Sequence, residues 1–209
     1  MIRAVLFDLG GVILTSPFDA FARYEAERGL PAGFIRQVNA TNPLDNAWAH
    51  LERGDVTFDE FCDRFETEAR QAGGELDARQ VMALLAGDVR PQMLEAVHRC
   101  HERLKTGLLT NNFVSDAHSP RLEDVLALFD VVVESSRVGI RKPDPRFYEL
   151  ACDSLGVQPV EAVFLDDLGQ NLKPARAMGM TTIKVDDPDV ALDELEKVVG
   201  FPLRPQSSK

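Results

Sequence analysis

Cysteine is scarce. The 209 residues hold three, Cys62, Cys100 and Cys152, and no two of them form a CxxC pair. A disulfide framework, a zinc site and a redox dithiol therefore go unsignalled, and a reduced, cytoplasmic setting is expected. No apolar run approaches the roughly 18 residues needed to cross a bilayer. The one stretch with a leader-like look, MIRAVLFDLGGVILT, is split by Asp8 and lacks a small-residue cleavage site. There is no Lys/Arg-rich run either. With 23 basic against 34 acidic residues the formal net charge is −11, which repels a phosphate backbone and argues against nucleic acid as a partner. No internal repeat or low-complexity tract is visible, and only the segment from Arg204 onward reads as a loose tail.

What is present is a core-forming composition, 44% hydrophobic, on a length that suits one domain or a core with one insertion. Five short apolar runs, at 2–7, 106–109, 131–133, 160–165 and 180–185, read as buried parallel strands. Helical patterns at 91–104, 119–128, 145–156, 169–178 and 188–199 alternate with the later runs, which predicts crossover units and a doubly wound α/β sheet flanked by helices. Residues 16–90 break the rhythm. They carry helix-compatible segments near 18–29, 31–40, 44–53, 57–71 and 77–86 and no convincing strand, and so predict an all-helical insertion between core segments 1–15 and 91–209.

In open parallel sheets ligands bind beyond the carboxyl ends of the strands, where strand order reverses. Three strand ends here carry Asp8, Thr110-Asn111 and Asp166-Asp167. With the first strand central, Asp8 and Asp167 face one another, and carboxylates gathered there repel unless a hard cation neutralises them; an all-oxygen set suits Mg²⁺. Each residue alone has a plainer explanation as a helix cap or turn. The set Asp8, Thr110, Lys142, Asp166, Asp167 and Asn171, each in its strand context, is harder to explain that way.

The combination FDLGG, LLTNN, RKPDP and FLDDLGQN resembles the haloacid dehalogenase superfamily, subfamily IA, and looks like the phosphatase-like domains of the kind attached to soluble epoxide hydrolase and to an acyl-CoA dehydrogenase family member. The resemblance implies a Rossmann-like core with a helical cap over the site. It implies a magnesium-dependent phosphatase acting on a small phosphorylated metabolite, with Asp8 as the nucleophile that forms an aspartyl-phosphate. Thr110 and the Asn111 backbone N–H would then hold phosphoryl oxygens, and Lys142 would neutralise charge. Asp8, Asp167 and the Gly10 carbonyl would ligate the metal, with Asp166 and Asn171 supporting from behind.

One position departs from that pattern. Most phosphatases of the superfamily place a second Asp two residues after the nucleophile to protonate the leaving group; here it is Gly10. Acid–base help of this kind is worth about 10² to 10⁴ in rate, so its loss is expected to slow poor leaving groups most. Two rivals stay open: a 2-haloacid dehalogenase, which uses the Asp nucleophile without metal, and a catalytically weak phosphate-binding module. Other residues read more plainly. Asp144 before Pro145 suits a helix N-cap, and His98 and His101 suit a helix surface. Phe58, Phe61, Cys62 and Phe65 form a helical core stripe with Trp48 as packing. Asn112 and Phe113 suit a turn and a core position or, equally, the substrate entrance.

Overall fold

A computed structural model of the chain describes residues 1–112 and 120–205. Five strands, β1 (Ala4–Phe7), β2 (Lys105–Thr110), β3 (Val131–Glu134), β4 (Ala162–Asp166) and β5 (Thr181–Lys184), form one parallel sheet in the order β3-β2-β1-β4-β5. β1 is central, and alternation along it explains its unbroken apolar run. Val5 and Phe7 enter a core with Met93, Val97, Leu192 and Leu195, while Ala4 and Leu6 enter a second core with Phe147, Tyr148, Ala151 and Leu172. The helices of these two layers are α6 (Pro91–His101) and α11 (Pro188–Val199) on one face, α9 (Pro145–Leu155) and α10 (Gly169–Ala177) on the other. α7 (Pro120–Leu126) lies between β2 and β3 in the chain. The 160–165 run starts as a strand only at Ala162, because Pro159 opens a one-turn helix closed by reciprocal capping between Gln158 and Glu161.

Between β1 and α6 the chain makes five helices: α1 (Phe18–Glu27), α2 (Phe34–Ala40), α3 (Ala47–Arg53), α4 (Phe58–Gln71) and α5 (Ala78–Ala83). Their caps are written locally. Asn46 accepts from Ala49 N–H, Thr57 and Glu60 form a capping box, and Asp77 accepts from Gln80 N–H. The five helices have a core of their own, in which Trp48 packs edge-on against Phe61 and Phe65 at 5.3 and 5.7 Å. The two chain crossings that join this unit to the sheet lie side by side. Leu14 and Val89 form an antiparallel bridge, Arg90 N–H donates to Ile13 O and Thr15 N–H to Asp88 O, both at 2.9 Å. Among the described residues no helix is long and apolar enough to cross a membrane.

Candidate active site

β1 ends at Phe7, and Asp8 N–H still donates to Leu165 O at 2.9 Å, so the first residue past the strand is held in register with the end of β4. The chain then turns sharply through Gly10 and Gly11. Gly11 has φ +75°, and a Cβ there would lie 2.3 Å from Asp167 Oδ2, so glycine is required both by the backbone and by the approach of that carboxylate. Gly10 is different: its φ is ordinary, and a Cβ on it would meet nothing within 4 Å.

The residues singled out at the strand ends converge. Lys142 Nζ lies 2.8 Å from Asp8 Oδ1 and 2.8 Å from Asp166 Oδ2, and the lysine is only 1% exposed. Asp8 Oδ1 also accepts from Leu9 N–H at 2.7 Å, so both contacts of the nucleophile candidate fall on one oxygen and leave Oδ2. Asp166 is wholly buried and fully engaged: besides Lys142 it accepts from Leu168 N–H, and Asn171 Nδ2 spans its two oxygens at 3.0 Å each. Asn171 is in turn fixed at the start of α10, where its carbonyl accepts from the buried Tyr148 hydroxyl at 2.7 Å.

Three carboxylates share this small volume. Asp8, Asp166 and Asp167 each offer an oxygen, all within 4.8 Å of one another. Burial pushes the Asp8 carboxyl well above the usual carboxylate range; Lys142 opposes that shift, and the charges of Asp166 and Asp167 add to it. Burial, followed by the charge of Asp166, pushes Asp167 up to about 6. One ammonium does not balance three carboxylates. An all-oxygen set short of positive charge fits a divalent hard cation such as Mg²⁺.

Thr110, the last residue of β2, is 5% exposed and lines the same cavity as Asp8 and Lys142. Asn111 does something its strand-end position did not signal. Its side-chain amide closes both sides of the Lys142 backbone, with Lys142 N–H donating to Oδ1 at 2.9 Å and Nδ2 donating to Lys142 O at 3.0 Å. Asn112 ties β2 to the end of β3: its side chain donates to Glu134 and accepts from the Ser136 hydroxyl, and its N–H donates to Ser135 Oγ. Asn112 also lines the cavity, so its two suggested roles coexist. Phe113 lies outside the described residues. Asp144 accepts from Arg146 N–H ahead of Pro145 at the start of α9, an N-cap. His98 and His101 belong to no metal-ligand group among the described residues, and His101 instead meets Thr106.

The cavity above these groups is about 610 Å³. From the sheet side it is lined by Asp8, Gly10, Thr110, Asn111, Lys142 and Asp167, and from the helical unit by Phe18, Trp48, Glu52, Met82 and Leu85. Trp48 therefore both packs and faces ligand space. Glu52 is a functional-looking residue that the sequence pattern did not single out. Burial raises its carboxyl, against the opposing charge of Arg141, whose Nε lies 2.7 Å away.

A family profile described as haloacid dehalogenase-like hydrolase matches residues 2–179. Acyl-CoA dehydrogenase family member 10 of Mus musculus is 38% identical over 96% of this chain and 19% of its own length. Bifunctional epoxide hydrolase 2 of Sus scrofa is 36% identical over 97% of this chain and 40% of its own length. The chain thus spans well under half of either relative. A phosphatase of Mycobacterium tuberculosis is 36% identical over 88% of each chain. Among solved structures, a Bacteroides thetaiotaomicron enzyme in complex with magnesium and inorganic phosphate superposes with TM-score 0.59 at 22% identity, covering 88% of this chain and 94% of that one. An L-2-haloacid dehalogenase of Xanthobacter autotrophicus gives TM-score 0.59 at 22% identity over 98% of this chain and 85% of its own, so the fold is shared with that dehalogenase as well as with the magnesium- and phosphate-bound enzyme.

Proposed function

The chain belongs to the haloacid dehalogenase-like hydrolase family, and from that premise we propose that it is a magnesium-assisted phosphatase cleaving a phosphate monoester of a small metabolite by way of an aspartyl-phosphate on Asp8. The observation that carries the reading is the three-carboxylate cluster closed by one buried lysine at the mouth of β1 and β4. A dehalogenase needs the nucleophile and the lysine; it has no use for Asp167 crowded against Asp8 and Asp166 at the cost of raised carboxyl pKa values. The residues that would hold the cation are Asp8, Asp167 and the Gly10 carbonyl, with Asp166 and Asn171 fixing the array from behind. Bound there, it would supply positive charge against the phosphoryl oxygens and the nucleophile.

In this proposal Asp8 attacks phosphorus through Oδ2, the bond to the ester oxygen breaks, and the phosphoryl group passes to the carboxylate. Lys142 and the Thr110 hydroxyl hold phosphoryl oxygens, together with the Asn111 N–H. The departing alkoxide takes its proton from water, because Gly10 offers none, and a second water then cleaves the acyl phosphate and restores Asp8. The helical insertion, residues 16–90, acts as a cap that excludes bulk water and meets the organic part of the ester. Its contribution of Phe18, Trp48, Met82 and Leu85 supports an apolar organic group. A cytoplasmic setting agrees with three buried, unpaired thiols. The deciding assay measures phosphate release from p-nitrophenyl phosphate with Mg²⁺ and with EDTA, beside chloride release from 2-chloropropionate. Metal-dependent phosphate release is expected; chloride release indifferent to EDTA would replace this reading with the dehalogenase.

A further inference from the structure

Lys142 sits in the loop between α8 (Ser135–Val138) and α9, with no regular structure of its own to hold it. Three contacts from elsewhere in the fold fix that loop. Asn111 clamps the Lys142 peptide from the end of β2, and Asn112 anchors α8, which leads into the loop, through Ser135 and Ser136. The third comes from the helical insertion. Arg141, the residue before Lys142, reaches across to it twice: Nη1 donates to Pro43 O at 3.1 Å, and Nε lies 2.7 Å from Glu52 Oε2 on α3. The latter approach is angled too poorly for a hydrogen bond, so the attraction is between charges. Both side chains are mostly buried, at 18% and 15% exposure. At the end of α3, Gly54 (φ +75°) sits so close to α8 that a Cβ would lie 3.0 Å from Ser136 O.

Burying an arginine and a glutamate costs both their hydration, and an apolar pair would close the same gap as well or better. What the charged pair adds is a specific position for Arg141, hence for the lysine beside it. Lys142 touches Asp8 and Asp166 at 2.8 Å each, and displacement of a reacting-site group by about 1 Å can cost on the order of 10²-fold in rate.

We propose that Glu52 is a positioning residue: through Arg141 it holds Lys142 in place for phosphoryl transfer, so that the helical insertion helps to set the charge at the sheet site as well as covering it. This rests on the phosphatase reading above, and the test separates the two. Turnover of p-nitrophenyl phosphate with Mg²⁺ and the affinity for inorganic phosphate by calorimetry are measured on the full chain, wild type and Glu52→Gln. The expected result is a fall in kcat on the order of 10²-fold with KM within about threefold, and phosphate affinity about tenfold weaker. In a Lys142→Ala background, Glu52→Gln should weaken phosphate binding no further. Unchanged kcat and phosphate affinity in Glu52→Gln would overturn the proposal, as would an equal loss with Lys142 absent. If the wild type released no phosphate from any ester, the phosphatase reading would fall and the phosphate titrations alone would decide about Glu52, by the same criteria. Should Glu52→Gln fail to fold, Arg141→Lys, which keeps the charge but loses the guanidinium's reach, takes its place in both measurements, with intermediate losses supporting the proposal and none overturning it.

Discussion

On the sheet side of the cavity the polar groups are bonded to one another: Lys142 to Asp8 and Asp166, Asp166 to Asn171 and Leu168 N–H, Asn171 to Tyr148. On the helical side Phe18, Trp48, Met82 and Leu85 present mostly carbon, and Trp48 Nε1 is buried with no partner among the described residues. The first wall is built to hold charge in a fixed place, which requires directional bonds and rigid strand ends. The second is built to meet a surface by shape and apolar contact, which requires neither. One wall would carry the chemistry and the other the choice of substrate, and the Glu52–Arg141 pair is where the second wall reaches into the first.

The division can be broken most severely at Asp8. Asp8→Asn removes the nucleophile and should lower phosphate release by on the order of 10⁴-fold or more, while Mg²⁺ and phosphate still bind; trapping of ³²P on the wild type and none on the variant would check it. Lys142→Met comes next. It leaves buried carboxylates with no cation and should cost about 3–5 kcal/mol in urea unfolding near neutral pH. Part of that loss should return as pH falls and the buried Asp8 carboxyl, already raised well above the usual range, takes up its proton; a pH-independent loss would show that packing alone was disturbed.

Gly10→Asp tests the sheet side from the other direction. The backbone there is unstrained and the space open, so the variant should fold. On phenyl phosphates of graded leaving-group pKa it should accelerate the poorest leaving groups by about 10²-fold and the best ones hardly at all. A flat response across the series would remove proton supply from the account of Gly10.

The helical wall should give a smaller effect of another kind. Leu85→Asn should raise KM for an ester with an apolar organic group by about tenfold, the worth of one side chain's burial, with kcat and the KM for glycerol phosphate little changed. The linkage of metal to stability is read out differently. Asp167 titrates near 6 in the metal-free protein, above its unfolded value near 3.8, so folding takes up a proton. The contribution of Asp167 to stability is thus full below about pH 4 and is lost as pH rises through about 6. Mg²⁺ at 100 times its Kd should add about 2.7 kcal/mol at pH 7.5, a rise in Tm of some 5–10 °C by the usual scaling. At pH 5, where Asp167 is mostly protonated, the gain should fall to about half.

Much of the sheet site was legible because its signals are short-range. An apolar run ending in Asp8, in Thr110 or in Asp166-Asp167 announces a buried strand with polar groups at its carboxyl end, and Asp144-Pro145 announces the next helix. The helical insertion was legible as helices, through its helix-compatible segments and the stripe Phe58–Phe61–Phe65. Its contacts with the sheet were not. Glu52 and Arg141 are 89 positions apart, and no local pattern marks either. Trp48 reads as core because hydrophobicity reports burial without saying whether the far side is protein or cavity. Asn111 reads as a backbone donor at a strand end, yet both ends of its amide bind the Lys142 peptide, 31 positions away.

By itself, then, the sequence determined the parallel sheet with its central first strand, the helical pattern of the segment after it, the family, and the convergence of Asp8, Asp166 and Asp167, since strand ends gather at one edge of any such sheet; Lys142, in an interhelical loop, was marked only by the family resemblance. Tertiary structure alone decided that Asn171 and Leu168 saturate Asp166, that Gly11 must make room for Asp167, and that Glu52 reaches the loop of Lys142. The reason is physical: periodicity and propensity act over a few residues, whereas a bond between side chains far apart in the chain depends on the angle at which two packed units meet, which no single segment encodes.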